Sequence, residues 1–253
     1  MNQKYTTGVI LGSGLKKIID QMTIHKEVAI SELMNTQLMT AGHSGQLFFG
    51  EIGGQNIVCC QGRPHWYEGR EGQDFIDFIE MLKEQGVEDL IITNASGGLS
   101  SYLNPGDLVL IKDHINFQIQ SPLVGRLDKN NAHFLNQDQV YDATLRSRFL
   151  SVAKSQSMEL PTGVYMAVLG PCFETPAEVK AFKILGADVV GMSSVPEVIA
   201  ARYLGLKVVM LSVIVNMGAG MSNASLSHEH TLEMAGVADE KLARLLEGYF
   251  KLP

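Results

Sequence analysis

Residues 163–216 read GVYMAVLGPCFETPAEVKAFKILGADVVGMSSVPEVIAARYLGLKVVMLSVIVN, and the order of patterns within them decides the fold class. Three valine-rich runs, Gly163–Leu169, Asp188–Met192 and Lys207–Asn216, have the length and composition of strands. Between them lie two helical patterns, Pro176–Leu185 and Pro196–Leu204. The first has a clear start. In Thr175-Pro176-Ala177-Glu178 the threonine can accept a backbone N–H while the glutamate reaches back, and proline takes the first helical position. Ser194-Val195-Pro196-Glu197 repeats the serine-to-glutamate half of that logic. Strands alternating with helices in this way predict an α/β protein whose sheet is covered by helices on both faces.

The same alternation continues outward in both directions. Strands are expected at Thr7–Leu11, Leu47–Ile52, Asn56–Gln61, Asp89–Asn94 and Asp107–Lys112, and helices at Gly72–Gln85, Thr144–Ser157 and His228–Phe250. The segment Asp113–Gln139 has no periodicity and is rich in Asn, Gln and Asp, so it reads as a long surface excursion of the kind that usually carries function. No repeat, low-complexity tract or linker interrupts the chain, which is read as one domain, 1–253.

Composition narrows the partners. Hydrophobic residues make up 45% of the 253 and charged residues 19%, ample apolar material for a core. A net charge of −7, from 27 acidic against 20 basic side chains, repels a polyanion and argues against nucleic acid, though a small anion can still enter a locally positive pocket. No apolar stretch reaches the length of a membrane span, and Met1–Thr7 lacks the layout of a signal peptide, so a cytoplasmic protein without a membrane partner is expected. Cys59, Cys60 and Cys172 are odd in number and lack C-x-x-C spacing. They suggest neither a disulfide framework nor zinc, and are expected to be reduced thiols of the core.

Several polar clusters sit where expected strands end, the place where open α/β sheets collect ligands. Gly12-Ser13-Gly14 follows the first strand and suits either a phosphate or a capped glycine turn. Gly62-Arg63-Pro64-His65-Trp66-Tyr67-Glu68-Gly69 sets a planar fork of donors beside an imidazole and a phenol: an anion and sugar site, or a solvated turn with an aromatic anchor. Asn94-Ala95-Ser96-Gly97-Gly98 permits close backbone approach to a ligand, and equally makes a tight turn. His228-Glu229-His230 lacks a third ligand at regular spacing and reads as a helix start rather than a metal site. Cys172, with no base placed beside it, reads as inert rather than nucleophilic.

Taken in order, GSGL, GHSG, GRPHWYEG, NASGGL, GPCFETPAE, GADVVGMSSVPE and the late Asn216 resemble the trimeric purine nucleoside phosphorylases over nearly the whole chain. The resemblance implies a mixed, twisted sheet closing toward a barrel with flanking helices, and a homotrimer. It also implies phosphate held by Ser13, His43, Arg63, His65, the backbone at Ala95, and Ser193. On the nucleoside side it implies Tyr67 and Met192 near the ribose, Phe173 against the base, Glu174 and Asn216 on the base edge, His228 at the 5′-hydroxyl, and Phe134 supplied by a neighbouring subunit. His65, Glu174 and Asn216 would carry the catalytic roles. Phosphate is then a co-substrate, and neither metal nor organic cofactor is implied.

The implied reaction is phosphorolysis of 6-oxopurine ribonucleosides and deoxyribonucleosides, such as inosine, guanosine or xanthosine, through an oxocarbenium-like sugar between the phosphate and the departing base. Fixed donors stabilise such a state electrostatically. Ser96, where alanine is frequent in the family, and Val215, where threonine is frequent, depart from the pattern. Two other readings stay open on the same scaffold. A methylthioadenosine phosphorylase typically places aspartate where this chain has Asn216, and a noncatalytic nucleoside binder would not need the phosphate set.

Overall fold

The computed structural model describes residues 4–34, 44–126, 134–221 and 228–252, with the side chains of 228–231 left aside. Among these residues nine strands form one sheet: β1 Thr7–Leu11, β2 Thr23–Ala29, β3 Gln46–Ile52, β4 Gln55–Gln61, β5 Asp89–Gly98, β6 Leu108–Asn116, β7 Thr162–Ala167, β8 Val189–Gly191 and β9 Lys207–Met217. The helices are α1 Lys17–Asp20, α2 Ile30–Leu33, α3 Gly72–Glu84, α4 Ala143–Ser155, α5 Pro176–Ile184, α6 Val195–Tyr203 and α7 His228–Lys251. A 3-10 turn covers Trp66–Glu68.

The strand order is β2-β3-β4-β1-β5-β8-β7-β6-β9, and β9 pairs again with β5. The second pairing closes β5, β8, β7, β6 and β9 into a ring, with β1, β4, β3 and β2 as a wing attached through β1. The expected mixed sheet closing toward a barrel is therefore what forms. The longest seam is parallel β5 on β9, in register from Asp89↔Lys207 to Gly98↔Met217 with a bulge between Ser96 and Gly97.

Both faces of this sheet are covered, which is why its strands read as continuous apolar runs rather than alternating ones. Successive side chains of a strand point to opposite faces. Ile10, Val58, Leu90, Ile92 and Met210 accordingly join one core with α3 and α6, through Phe78, Ile79, Leu82 and Val198. Val9, Cys59, Ile91, Val209 and Leu211 join the other, with α4 and α7, through Phe149, Val152, Leu242, Leu245 and Phe250. Among the described residues no helix is long and apolar enough to cross a membrane.

Several expectations change. The excursion set at Asp113–Gln139 begins later, because β6 runs on to Asn116 by pairing its backbone with β7, from Asp113↔Val164 to Asn116↔Ala167. Main-chain pairing after a register shift does not require apolar side chains, so the polar sequence hid it. Strand β5 likewise runs through the small residues to Gly98 instead of ending at Asn94. The short helical stretch expected after Gly12-Ser13-Gly14 forms as α1, whereas strand β2 and the short α2 were not anticipated; β2 is mostly exposed and carries His25, Lys26 and Glu27, an edge strand without an alternating pattern. Of the three cysteines, Cys59 and Cys60 are buried as expected, but Cys172 is exposed, since it lies in the loop before α5 rather than in the sheet.

Candidate active site

At the carboxyl ends of β1, β4, β5 and β8 the ring and the wing leave a cavity of about 420 Å³. Its lining includes Ser13, Arg63, His65, Ala95, Ser193 and Asn216, together with Tyr67, Phe173, Glu174 and Met192. Every candidate drawn from the sequence therefore meets there except three. His43 lies outside the described residues, as does the side chain of His228 at the start of α7. Phe134 is 80% exposed and does not line the cavity of its own chain.

The cavity opens where β5 changes partners. One side of β5 pairs with β1 as far as Ile92 and with β8 only from Gly97, while the other side stays on β9 throughout. In between, the free side of the strand faces the site. Thr93 C=O points that way, because it accepts a hydrogen bond from the Arg63 guanidinium. Ala95, two residues on, points the same way. Gly12, at the end of β1, must pack directly on this strand: a Cβ there would lie 2.7 Å from Asn94 Cα. The turn after it is pinned from the far end of the chain, where the Asp239 carboxylate of α7 accepts from the N–H groups of Lys16 and Lys17, each at 2.8 Å.

Arg63 is 1% exposed. Its Nη2 donates to Thr93 C=O and, at 3.3 Å, to Ile10 C=O; its Nη1 donates to Ser194 Oγ at 2.9 Å and stands 3.5 Å from Glu197 Oε1. A buried guanidinium needs such partners, since an unpaired buried charge is strongly destabilising. Glu197 is fully buried, and that burial raises its carboxyl pKa, with Arg63 opposing the rise. Nearby, His65 Nδ1 meets Glu68 Oε1 at 3.1 Å, which fixes that nitrogen as the donor. Its ring stacks on Tyr67, centroids 4.7 Å apart and 17° between planes.

On the other branch of the lining, Gly170 has φ +73 and a Cβ there would lie 2.5 Å from Met192 Sδ and 3.2 Å from Tyr67 Cδ1. Only glycine lets the Pro171–Glu174 loop close against both. The loop then enters α5 through the capping box expected from the sequence, with Glu178 N–H donating to Thr175 Oγ1 at 3.2 Å and Thr175 N–H to Glu178 Oε2 at 2.7 Å. Glu174 is half-buried, and desolvation is the main reason its carboxyl pKa lies above the ordinary value, helped by Glu178 and opposed by a backbone hydrogen bond. Asn216 sits opposite Gly97 in the β5–β9 register, where a Cβ would crowd its Nδ2 at 3.2 Å. One of its N–H groups goes to Met217 C=O at 3.0 Å, leaving the other and Oδ1 for a ligand.

The second cap expected from the sequence does not form. Ser194 makes no capping hydrogen bond to α6, and Glu197 turns inward to Arg63. Ser194 has φ 74 and ψ −46, and Val195 N–H donates to Ser193 C=O at 2.9 Å, a rare γ-turn that costs about 1–3 kcal/mol in a non-glycine residue. Its side chain is spent on Arg63 instead. Glu68, Thr93, Asn94, Ser194 and Glu197 are the residues that sequence reasoning left without a role in the site. All belong to or flank quoted motifs, but nothing in their spacing tells a support from a turn residue.

Comparison with known proteins gives a consistent likeness. A model of the phosphorylase superfamily matches residues 6–251. Purine nucleoside phosphorylase 1 of Geobacillus stearothermophilus is 39% identical over 239 residues, covering 92% of this chain and 87% of the relative. Two crystal structures of the Schistosoma mansoni purine nucleoside phosphorylase superpose over 100% of this chain at 33% identity. The complex with inosine has a TM-score of 0.89 and is covered over 92% of its length. The complex with adenosine has a TM-score of 0.92 and is covered over 93%.

Proposed function

We propose, from the premise that the chain belongs to the phosphorylase superfamily as an enzyme akin to the purine nucleoside phosphorylases, that its cavity carries out phosphorolysis of 6-oxopurine nucleosides. The observation that carries this reading is the shared lining: the donors Ser13, Arg63, His65 and Ser193 face the same space as Glu174 and Asn216. A phosphate oxygen forms the new bond to the anomeric carbon as the bond to the purine nitrogen breaks. The electron pair leaves with the base, which takes up a proton at N7, and the products are free purine and sugar 1-phosphate. Hydroxyl and cationic donors hold the anion, with the Ala95 backbone and His43 completing the set. Asn216 accepts from N7–H through Oδ1 and donates to the 6-oxygen through its remaining N–H, while the Glu174 carboxylate accepts from N1–H.

The test is base release from inosine, guanosine, xanthosine and adenosine, with and without phosphate. Inosine or guanosine is expected to be cleaved only when phosphate is present; equal release without it would make the protein a hydrolase. Because the Schistosoma enzyme has been crystallised with adenosine as well as inosine, turnover and not binding is the readout for the base.

The same reading includes a homotrimer in which Phe134 completes a neighbour's site. What supports it is the exposure of Ile119 at 86%, Val124 at 80% and Phe134 at 80%, apolar area in one chain segment that a second copy would cover. Light scattering is expected to give three times the chain mass, and a monomer would end this part of the proposal.

A further inference from the structure

Ser193 lines the cavity beside a second serine whose hydrogen-bond partners fix the direction of its own proton. Ser194 Oγ lies 2.9 Å from Arg63 Nη1, 2.9 Å from Asn94 Nδ2 and 3.2 Å from Ser193 Oγ. A hydroxyl has two acceptor positions and one proton. Arg63 is only a donor and the Asn94 amide N–H is a donor, so both acceptor positions are filled. The Ser194 proton is left with Ser193 Oγ as its acceptor. Ser193, having accepted, must send its own proton elsewhere.

The Asn94 amide is held in this sense from behind. Ser96 Oγ donates to Asn94 Oδ1 at 2.6 Å, and both residues are buried. That contact keeps the amide oxygen on Ser96 and the N–H groups on Ser194. Ser96 reaches Ser194 through Asn94, and it is one of the positions where the sequence departs from its family pattern. The Tyr165 hydroxyl gives its proton to Ser193 C=O at 3.2 Å, so it does not compete as a donor to Ser193 Oγ. A dianion in the cavity is a stronger acceptor for the Ser193 proton than a neutral phenol.

The geometry points to a hydroxyl relay, from Ser96 through Asn94 and Ser194 to Ser193, that fixes the Ser193 proton toward the bound anion and makes Ser96 and Ser194 positioning residues for phosphate. The γ-turn at Ser194 serves this arrangement, because it turns the side chain off the helix cap and into the junction of Arg63, Asn94 and Ser193. The inference rests on the phosphate reading of the cavity.

The experiment is a double-mutant cycle read by calorimetric titration with inorganic phosphate and by the phosphate and inosine KM values. Ser96→Ala is expected to weaken phosphate about fivefold, the worth of one neutral hydrogen bond, with the inosine KM unchanged. In a Ser193→Ala background the same substitution is expected to do nothing further, because the relay then has no end. Ser194→Gly removes the hydroxyl while suiting the positive φ; it also frees one Arg63 donor, and is expected to weaken phosphate at least tenfold. Ser194→Thr, which keeps the hydroxyl, is expected to restore binding.

Parent protein that binds no phosphate would overturn the phosphate reading and the relay together. Parent that binds phosphate, with Ser96→Ala and Ser194→Gly binding as tightly, overturns the relay alone. So does an equal loss from Ser96→Ala with and without Ser193, since a merely structural effect would act in both backgrounds.

Discussion

Arg63→Ala is expected to raise the phosphate KM by at least tenfold and to leave the inosine KM nearly unchanged. The lower bound follows from the roughly 1.5–3 kcal/mol carried by hydrogen bonds to a charged group. The structure adds a second expectation that the sequence could not supply. Arg63 is the cation beside a fully buried Glu197, so its removal strands a carboxylate, and breaking a buried pair costs about 3–5 kcal/mol.

The pH dependence of that cost has a definite sign. Burial already raises the Glu197 carboxyl pKa and Arg63 opposes the rise, so Arg63→Ala lifts it further. A carboxyl whose folded pKa exceeds its unfolded one favours the fold at low pH and loses that favour as pH rises through the folded value. Thermal denaturation should therefore show the variant's deficit growing as pH increases. Adding Glu197→Gln removes the stranded charge and should recover stability without recovering phosphate affinity. If the double variant regained both, Arg63 would be a structural residue only.

The base edge gives the other large effect. Asn216→Asp is expected to raise the adenosine-to-inosine ratio of kcat/KM by roughly 100-fold, two hydrogen bonds' worth, mostly by loss of inosine turnover. Aspartate repels a 6-oxygen and accepts from a 6-amino group. It also faces Met217 C=O, from which asparagine's N–H is lost. Glu174→Ala should reduce inosine kcat/KM by a comparable factor. With phosphate saturating, parent kcat/KM should fall with decreasing pH as Glu174 protonates, at a pH above that of an ordinary glutamate, because desolvation holds its pKa up. Glu174→Gln should lose that limb. Unaltered substrate ratios and pH profile in these variants would place the base pocket elsewhere.

Much of this was legible before any coordinates. Strands covered on both faces announce themselves by composition, and β1, β4 and β9 begin or end within a residue of the expected limits. Ordered motifs brought ten of the named site residues to one cavity. What stayed hidden was set by the backbone or by distance along the chain. Asp113–Asn116 are strand residues because β7 is there to pair with, and no side chain says so. Ser194 and Glu197 carry a capping pattern that local sequence favours, and Arg63, remote in the chain, takes both away. Local rules fail at that point because a buried charge outbids a helix cap.

The place where β5 has left β1 and not yet reached β8 ties occupancy to fold. A sheet normally finishes its own ladder, but between Ile92 and Gly97 this edge of β5 has no partner strand, and the Arg63 guanidinium takes the Thr93 C=O in its place. If the proposed phosphate sits there, it is a removable piece of the architecture, bound by the folded chain and by nothing in the unfolded one. At a concentration about 100 times its Kd such a guest would add about 2.7 kcal/mol to the folded state. On the proposed phosphate reading, the melting temperature of the protein should rise with phosphate concentration.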